Sequence, residues 1–489
     1  MNTRVLVAVA ALAAAAWAFK RWRQAVPAVM VLLVLEGAIR KWFFPGAQDV
    51  VYFAKDLLLL GIYGGFLSES ARIKLRAPKV PPLFAALAAG TVLGLFEIFN
   101  PKLPSLLVGV LGWKAYFFYV PLYWIVPAAL PSDGRLYRFL RRYALFAVPV
   151  GLLAAAQFFA PPSSPLNTYA RSGGETSDIV TFGSSTHVRV TGTFAFISGY
   201  TSYLFATIML ALALLATAGW RLRGNLFQYA ALFLSVLGLL MSGSRGPVIL
   251  IVALLPLYWW LAVLRQKGGV LAGGRLVLGF ALIGSLVAYA GADAFGAWLG
   301  RASGSSDVAG RLLTPFLQPI YTIERAGLLG YGIGATHQMA TAVVSGVRPY
   351  SWLEGPQIED ETGRVMLELG PIGFAVIYFV RIYLIVYAFR ATLRMRSPFH
   401  RSFGTAALLF FLAQLPGGVI FEVTAGVYYW FFAGLLAAAV ALDREPAKSA
   451  APRPVAISAL KASRARQLGA GWVPPAASVA GPAGEPESS

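Results

Sequence analysis

Apolar runs of roughly 17–25 residues recur along most of the chain, and this repetition limits the folds that it can adopt. A helix of that length crosses a bilayer core of about 30 Å. A chain inside a membrane must satisfy its backbone hydrogen bonds internally, and the alternating pattern of barrel strands is absent. The runs therefore predict an all-α polytopic membrane protein with about thirteen transmembrane helices. They lie near residues 4–19, 25–44, 50–67, 81–99, 105–130, 143–160, 196–219, 226–242, 247–264, 276–295, 366–389, 403–419 and 424–442.

Composition excludes several kinds of functional site. The 489 residues include no cysteine, so disulfide frameworks, cysteine-held metals and thiol nucleophiles are excluded. Only three histidines are present, which argues against a histidine-rich metal site. The formal net charge of +20 would suit nucleic acid unless the basic residues are sorted into loops between the apolar runs.

The basic residues are sorted in this way. Most of the 41 Lys and Arg residues fall in alternate connections and in the C-terminal tail, which marks those segments as cytoplasmic. The first run resembles a signal peptide, but Lys20, Arg21 and Arg23 follow it at once, which favours a retained anchor. The pattern predicts an outside N-terminus and a membrane-lipid environment, with no nucleic acid partner.

The chain divides into one long domain and a tail. Residues 1–442 are predicted to form the transmembrane domain, and residues 443–489, rich in Ala, Pro, Ser and Gly, a disordered cytoplasmic tail. Two connections on the outer side are long, at about 161–195 and 296–365. Long loops in a compact bundle are usually functional or disordered.

Arginine, and no lysine, supplies the cations of the later outer connections. The guanidinium fork binds phosphate and carboxylate through two parallel hydrogen bonds, which favours an anionic, phosphorylated ligand. For any single arginine, an ion pair with a loop carboxylate or a lipid phosphate is an equal alternative. The set comprises Arg171, Arg189, Arg245, Arg301, Arg311, Arg325, Arg348 and Arg364.

Arg245 is the sharpest case, because it lies in the very short turn 242–247 between two apolar runs. Flanking glycines expose backbone N–H groups there, so the turn is a plausible phosphate site. The glycine-rich stretch 330–334 lacks the flanks of a P-loop and instead predicts a turn or a close backbone approach.

The acidic segment 359–368 leads into a later span. Glu359 and Glu361 are candidate general bases, because a carboxylate beside an apolar wall can have its pKa raised towards neutrality. On a helix, Arg364 would share a face with Glu361 and with Glu368. The alternative is a salt-bridged helix start with acids at the positive end of the helix dipole.

Four stretches between about residues 145 and 440 resemble motifs of the O-antigen ligase / O-antigen polymerase superfamily. They are RVTGTF at 189–194, SRG at 244–246, Gly310-Arg311 followed by GYGIG at 330–334, and ELGPIG at 368–373. Their order and their placement on one predicted side of the membrane carry the resemblance.

The resemblance implies a metal-independent, cofactor-free glycosyltransferase of the bacterial inner membrane with GT-C-like architecture. It would polymerise or ligate undecaprenyl-diphosphate-linked saccharides on the periplasmic face, with a glycan or lipid acceptor. Arg189, Arg245 and Arg311, together with Arg364, would bind the diphosphate, because fixed positive charge stabilises this leaving group. Glu359 or Glu361 would activate the acceptor hydroxyl.

One departure from the family pattern bears on the acceptor. Ligases of the family tend to carry a His-Asn pair where this chain has Glu359 and Asp360. The substitution favours a polymerase, or a ligase with an acceptor other than lipid A core. The alternative function is a transporter or flippase of an anionic lipid-linked glycan, which would place its site near the bilayer midplane.

Overall fold

The computed structural model describes residues 3–444 with several gaps. Outside the description lie residues 1–2, 71–76, 171–178, 183–186, 219–220, 223, 265–273, 276–277, 280, 282–283, 286–288, 290, 304–307, 345–351, 354, 356–357, 359 and 445–489. Within the described part the elements are helical, and an isolated bridge between Thr181 and Val188 is the only β-type contact.

The described helices follow the predicted apolar runs. The first nine are α1 (Thr3–Lys20), α2 (Trp22–Ala38), α3 (Gln48–Ser70), α4 (Pro81–Glu97), α5 (Leu106–Phe117), α6 (Leu122–Ala129), α7 (Asp133–Ala144), α8 (Ala147–Phe159) and α9 (Ile197–Thr217). The others are α10 (Leu226–Met241), α11 (Arg245–Tyr258), α12 (Ala292–Ser303), α13 (Val308–Ala326), α14 (Ala340–Val343), α15 (Glu361–Arg394), α16 (Pro398–Ala413) and α17 (Val423–Arg444). Nine of the twenty residues of the predicted run 276–295 lie outside the described residues.

The all-α class is confirmed for the described chain, and its apolar helices are those of a polytopic membrane protein. Seven helical segments among the described residues are long and apolar enough to cross a membrane, or eight if the bent pair α5 and α6 forms one span. The larger number of spans read from the sequence, and the GT-C-like arrangement, stay predictions.

The core is formed around α9, α16 and α17. Of the most apolar 18-residue stretch of each helix, 94% is buried in α9 and 89% in α17, whereas only 11% is buried in α1. Helix α9 packs on α10 and α16, while α17 packs on α6 and α16. Helices that are apolar on all sides suit such a centre, and the exposed apolar surface of α1 suits contact with lipid.

Helix α15 is broken at Gly370, where φ is +61°. The next residue, Pro371, has no N–H, so the carbonyl of Leu367 loses its usual helical donor. The glycine-rich loop supplies the missing donors: Tyr331 N–H reaches Leu367 O at 2.9 Å, and Gly332 N–H reaches Glu368 O at 3.0 Å. The predicted close backbone approach of this loop is thus present, with α15 as its partner.

The two long connections that were predicted to lie on the outer side differ in structure. The described residues of 161–195 form turns and the single bridge, with no helix. The second connection instead contains α13 and α14, and α13 packs on α15. Helical spacing of Leu313, Phe316 and Ile320 explains α13, and all three side chains stay exposed. At the C-terminus, α17 continues through Arg444, and the rest of the predicted tail lies outside the described residues.

Candidate functional site

Arg189 and the turn before Arg245 come together in the structure. The Arg189 Nε–H donates to Ser242 O at 2.8 Å, and a terminal N–H of the same side chain reaches Ser244 Oγ at 3.4 Å. Arg245 is the first residue of α11, at the end of the helix where backbone N–H groups are unsatisfied. Arg189 and Arg245, two of the predicted phosphate ligands, therefore lie at the same turn.

Glycine is required within this turn. Gly243 has φ +66°, and a Cβ added there would lie 2.9 Å from Arg189 Nε and equally close to the Phe182 ring. Only glycine adopts this conformation without strain, and only a hydrogen leaves room for the Arg189 guanidinium. The sequence of the turn thus positions Arg189 as well as Arg245.

The backbone around Arg189 is anchored by neighbouring segments. Tyr169 Oη–H donates to Arg189 O at 2.7 Å. Three residues further on, Gly192 N–H donates to Gln157 Oε1 at 2.8 Å, and Lys41 Nζ donates to Gly192 O at 2.8 Å. Lys41 belongs to the helical turn that extends α2, so the N-terminal part of the chain fixes the RVTGTF segment.

Arg364 has a different environment from Arg189. Its guanidinium donates to Thr336 Oγ1 at 3.0 Å and to Thr336 O at 2.5 Å. It also lies 3.5 Å from the centroid of the Phe421 ring, a cation–π contact. Arg364 therefore joins the glycine-rich loop to the segment before α17. The structure does not bring Arg364 to the turn 242–247 that Arg189 contacts.

Glu361 is fully engaged by protein groups. One carboxylate oxygen pairs with Arg381, and the other accepts hydrogen bonds from Ile420 N–H at 2.7 Å and Phe421 N–H at 3.1 Å. Only 5% of the residue is exposed. These contacts resemble the structural alternative, a helix start held by ion pairing, although the cation is Arg381 and not the expected Arg364.

Glu368 is the centre of a buried hydrogen-bond network. Its Oε2 accepts from Tyr116 Oη–H at 2.9 Å and from Gly334 N–H at 3.1 Å. Its Oε1 accepts from Thr336 N–H at 2.8 Å and from Thr336 Oγ1–H at 2.6 Å. The network joins α15 to α5 and to the glycine-rich loop, so the ELGPIG motif has a structural role.

Two predicted site residues cannot be placed. Arg311 lies within α13, but its side chain is outside the described part of the structure, and Glu359 is outside it altogether. Across the described residues, no group of three or more His, Asp or Glu side chains is arranged to hold a metal ion.

His337 lies beside the Arg364 contacts and is buried. Its Nδ1 accepts a hydrogen bond from Met339 N–H at 3.1 Å. Burial, with further contributions from Lys114 and Arg364, lowers the pKa of His337 to about 4. The imidazole is therefore neutral at pH 7.

A second charged cluster was not assigned to the site by sequence reasoning. Lys55 Nζ lies 3.0 Å from Glu36 Oε2, and the Arg40 guanidinium lies 3.4 Å from Glu36 Oε1. Nearby, Lys114 Nζ lies 2.5 Å from Asp56 Oδ2. The spacing of four residues on a helix explains the Glu36–Arg40 pair, whereas Lys55 comes from another helix, α3. The available signal was charge inside apolar runs, which usually faces a polar interior.

Comparison of the chain with models of known protein families gives no match, and a search of curated proteins gives none either.

Proposed function

We propose that the protein is a membrane-embedded glycosyltransferase that polymerises or ligates saccharides carried on a lipid diphosphate of the undecaprenyl type. The observation that carries the proposal is the contact of Arg189 with the Ser242–Ser244 turn, which places its guanidinium beside the first turn of α11, where Arg245 stands. The supporting resemblance is that of the four motifs to the O-antigen ligase / O-antigen polymerase superfamily.

The chemistry of such a site follows from the leaving group. When a sugar leaves a lipid diphosphate, negative charge grows on the phosphate oxygens. Guanidinium groups and the backbone N–H groups at a helix start stabilise that charge without a change of protonation state. Gly243 keeps the turn narrow enough for Arg189 to reach it.

The acceptor would approach from the outer face of the membrane, where the basic-residue pattern places this turn. In this reading the protein is a resident of the bacterial inner membrane with its site towards the periplasm. Glu361 is not required as the base, because both its oxygens already accept protein hydrogen bonds.

A transporter of the same lipid-linked glycan is the second candidate, and the broken helix α15 favours it, since transporters often bind substrate at such breaks. Here, however, loop N–H groups occupy the carbonyls of Leu367 and Glu368 next to the break. These two carbonyl oxygens are therefore not left open to coordinate an ion that drives transport.

The test uses purified protein in lipid nanodiscs with a lipid-diphosphate-linked oligosaccharide. Wild type should release free lipid diphosphate and form longer or transferred glycan. Arg245→Ala should lower this rate by about 100–1,000-fold, the usual cost of removing one preorganised charge-stabilising donor. Arg135→Ala, which removes an exposed arginine of α7, is the matched control and should leave the rate unchanged.

Two results would contradict the proposal. Full activity of Arg245→Ala would contradict the phosphate site. Movement of the oligosaccharide across vesicles containing wild-type protein, with no glycosidic bond formed, would establish transport and refute the transferase.

A further inference from the structure

A polar cavity of about 280 Å³ lies next to the second charged cluster. It is bordered by α2, α3, the start of α9 and the segment that leads into α17. We call it the charged cavity. The polar and aromatic side chains of its wall that matter here are Glu36, Arg40, Tyr52, Lys55, Ser198 and Glu422.

One wall of the charged cavity carries fixed positive charge. Arg40 and Lys55 both pair with Glu36, so two cations share one carboxylate. The Tyr52 ring lies beneath them, with Lys55 Nζ at 4.1 Å and the Arg40 guanidinium carbon at 5.3 Å from its centroid. This part of the lining thus places two cationic side chains against one aromatic ring.

The segment before α17 contributes Glu422 to the lining of the charged cavity. Its carboxylate accepts from Ser198 Oγ–H at 2.5 Å and from Thr424 N–H at 3.3 Å. Glu422 is partly exposed, and it lines the charged cavity. The backbone beside it is fixed, because Glu361 accepts the N–H groups of Ile420 and Phe421.

Glu422 also borders a second cavity of about 250 Å³, which extends to the turn 242–247 that contains Arg245. The walls of this second cavity include Gly246 and Pro247, the two residues after Arg245. Ser198 and Glu422 line both cavities. Glu422 therefore stands at the boundary between the charged cavity and the space beside the proposed phosphate site.

These surroundings match the chemistry of a sugar ring. Each hydroxyl both donates and accepts, so a ring is best bound by carboxylates together with cationic donors, whose hydrogen bonds are the strongest available. An aromatic face packs against the C–H face of the ring. The volume of about 280 Å³ lies just below the range of roughly 300–1,000 Å³ for pockets that hold drug-sized ligands, and it suits a single ring.

We propose that the charged cavity binds the terminal sugar of the acceptor and that Glu422 is the general base for its attacking hydroxyl. This inference rests on the proposed transferase function. The hydroxyl proton passes to the Glu422 carboxylate while the hydroxyl oxygen forms a bond to the anomeric carbon of the donor sugar. The bond from that carbon to the diphosphate oxygen breaks, and its electron pair leaves with the lipid diphosphate.

The state of Glu422 suits this role. Burial raises the pKa of Glu422, while the Ser198 hydroxyl and the Thr424 N–H favour the ionised form and offset part of that rise. A base of raised pKa holds the proton of an alcohol better than an ordinary surface carboxylate. Glu361, in turn, acts as a positioning residue for the segment that carries Glu422.

The first test is the isosteric variant Glu422→Gln, compared with Glu324→Gln, which alters an exposed glutamate of α13. Glu422→Gln should lower transfer by about 100–10,000-fold, the range for loss of a general base. Stabilisation of the protein by the lipid-linked donor, measured as a rise in unfolding temperature, should not change. In Glu422→Ala, added formate should restore part of the activity.

The second test concerns the acceptor. Arg40→Gln leaves Glu36 paired with Lys55, so the fold keeps a cation for that carboxylate. It should raise the KM for the acceptor about tenfold, the effect of one charge-assisted hydrogen bond, and leave the KM for the donor unchanged.

The outcomes separate the two proposals. Absence of transfer in wild type would overturn the proposed function itself. Transfer by wild type, with Glu422→Gln within about threefold of it, would overturn the role of Glu422 and leave the transferase standing. A donor KM that rises in Arg40→Gln while the acceptor KM stays constant would overturn the assignment of the charged cavity.

Discussion

Replacing Glu368 with glutamine should loosen the glycine-rich loop. The carboxylate accepts four hydrogen bonds, from Tyr116, Gly334 and twice from Thr336. A glutamine side chain offers one acceptor oxygen and one NH₂ donor in the same space. If the oxygen stays with Thr336, the NH₂ group faces the Tyr116 hydroxyl and the Gly334 N–H.

The magnitude follows from these two contacts. The tyrosine hydroxyl can rotate and become an acceptor, so that bond is partly retained. The Gly334 N–H is fixed by the backbone and loses its partner inside the protein. A hydrogen bond to a charged group contributes about 1.5–3 kcal/mol, so Glu368→Gln should lower the free energy of unfolding by about 3 kcal/mol. Tyr116→Phe removes a single bond to the carboxylate and should cost about 1.5–3 kcal/mol.

Unfolding in mixed micelles, followed by tryptophan fluorescence, measures both losses. Amide hydrogen exchange locates them, and peptides covering residues 330–337 should exchange faster in Glu368→Gln, with smaller changes in α9. A loss below about 1 kcal/mol, with unchanged exchange at Gly334 and Thr336, would refute the network as the support of this loop.

Three further outcomes are expected. Gly243→Ala should cost about 1–2 kcal/mol of unfolding free energy and reduce transfer, because its methyl group would meet Arg189; Gly296→Ala in α12, with open space at its Cβ, should do neither. His337 is harder to protonate in the folded protein, so stability should fall by up to about 3 kcal/mol as pH drops from 6.5 to 4, and His337→Asn should remove that part of the pH dependence in denaturant titrations. Lys114→Met leaves Asp56 in the interior without its cation and should cost about 3–5 kcal/mol by the same titrations, whereas a second change, Asp56→Asn, should recover much of the loss.

The sequence predicted those features that depend on neighbouring residues. Apolar length located the long apolar helices, because a helix crossing a membrane needs a continuous run, but it did not locate α7, α13 or α14. The short connection before Arg245 also appears as a turn, since Ser242, Gly243 and Ser244 end α10 and begin α11. The contact of Arg189 with this turn was not itself predicted; sequence reasoning assigned these segments only a common expected ligand.

Partners distant in sequence could not be predicted in the same way. Glu361 was expected to share a helix face with Arg364. In the structure it pairs with Arg381 instead, because tertiary packing brings Arg381 next to this buried carboxylate. The contact of Ser198 with Glu422 joins residues 224 positions apart, and no local period encodes it. A charge beside an apolar run was the only sign that Glu422 has a polar neighbour.

The break in α15 also constrains the order of assembly. The half-helix from Glu361 to Leu369 carries carboxylates whose partners come from both directions along the chain: Gly334 and Thr336 are made earlier, whereas Arg381, Ile420 and Phe421 are made later. When synthesis of α15 has just been completed, only some of the hydrogen-bond partners of this half-helix therefore exist. Its final position must await synthesis of the segment before α17, so the N-terminal half of α15 matures among the last parts of the bundle.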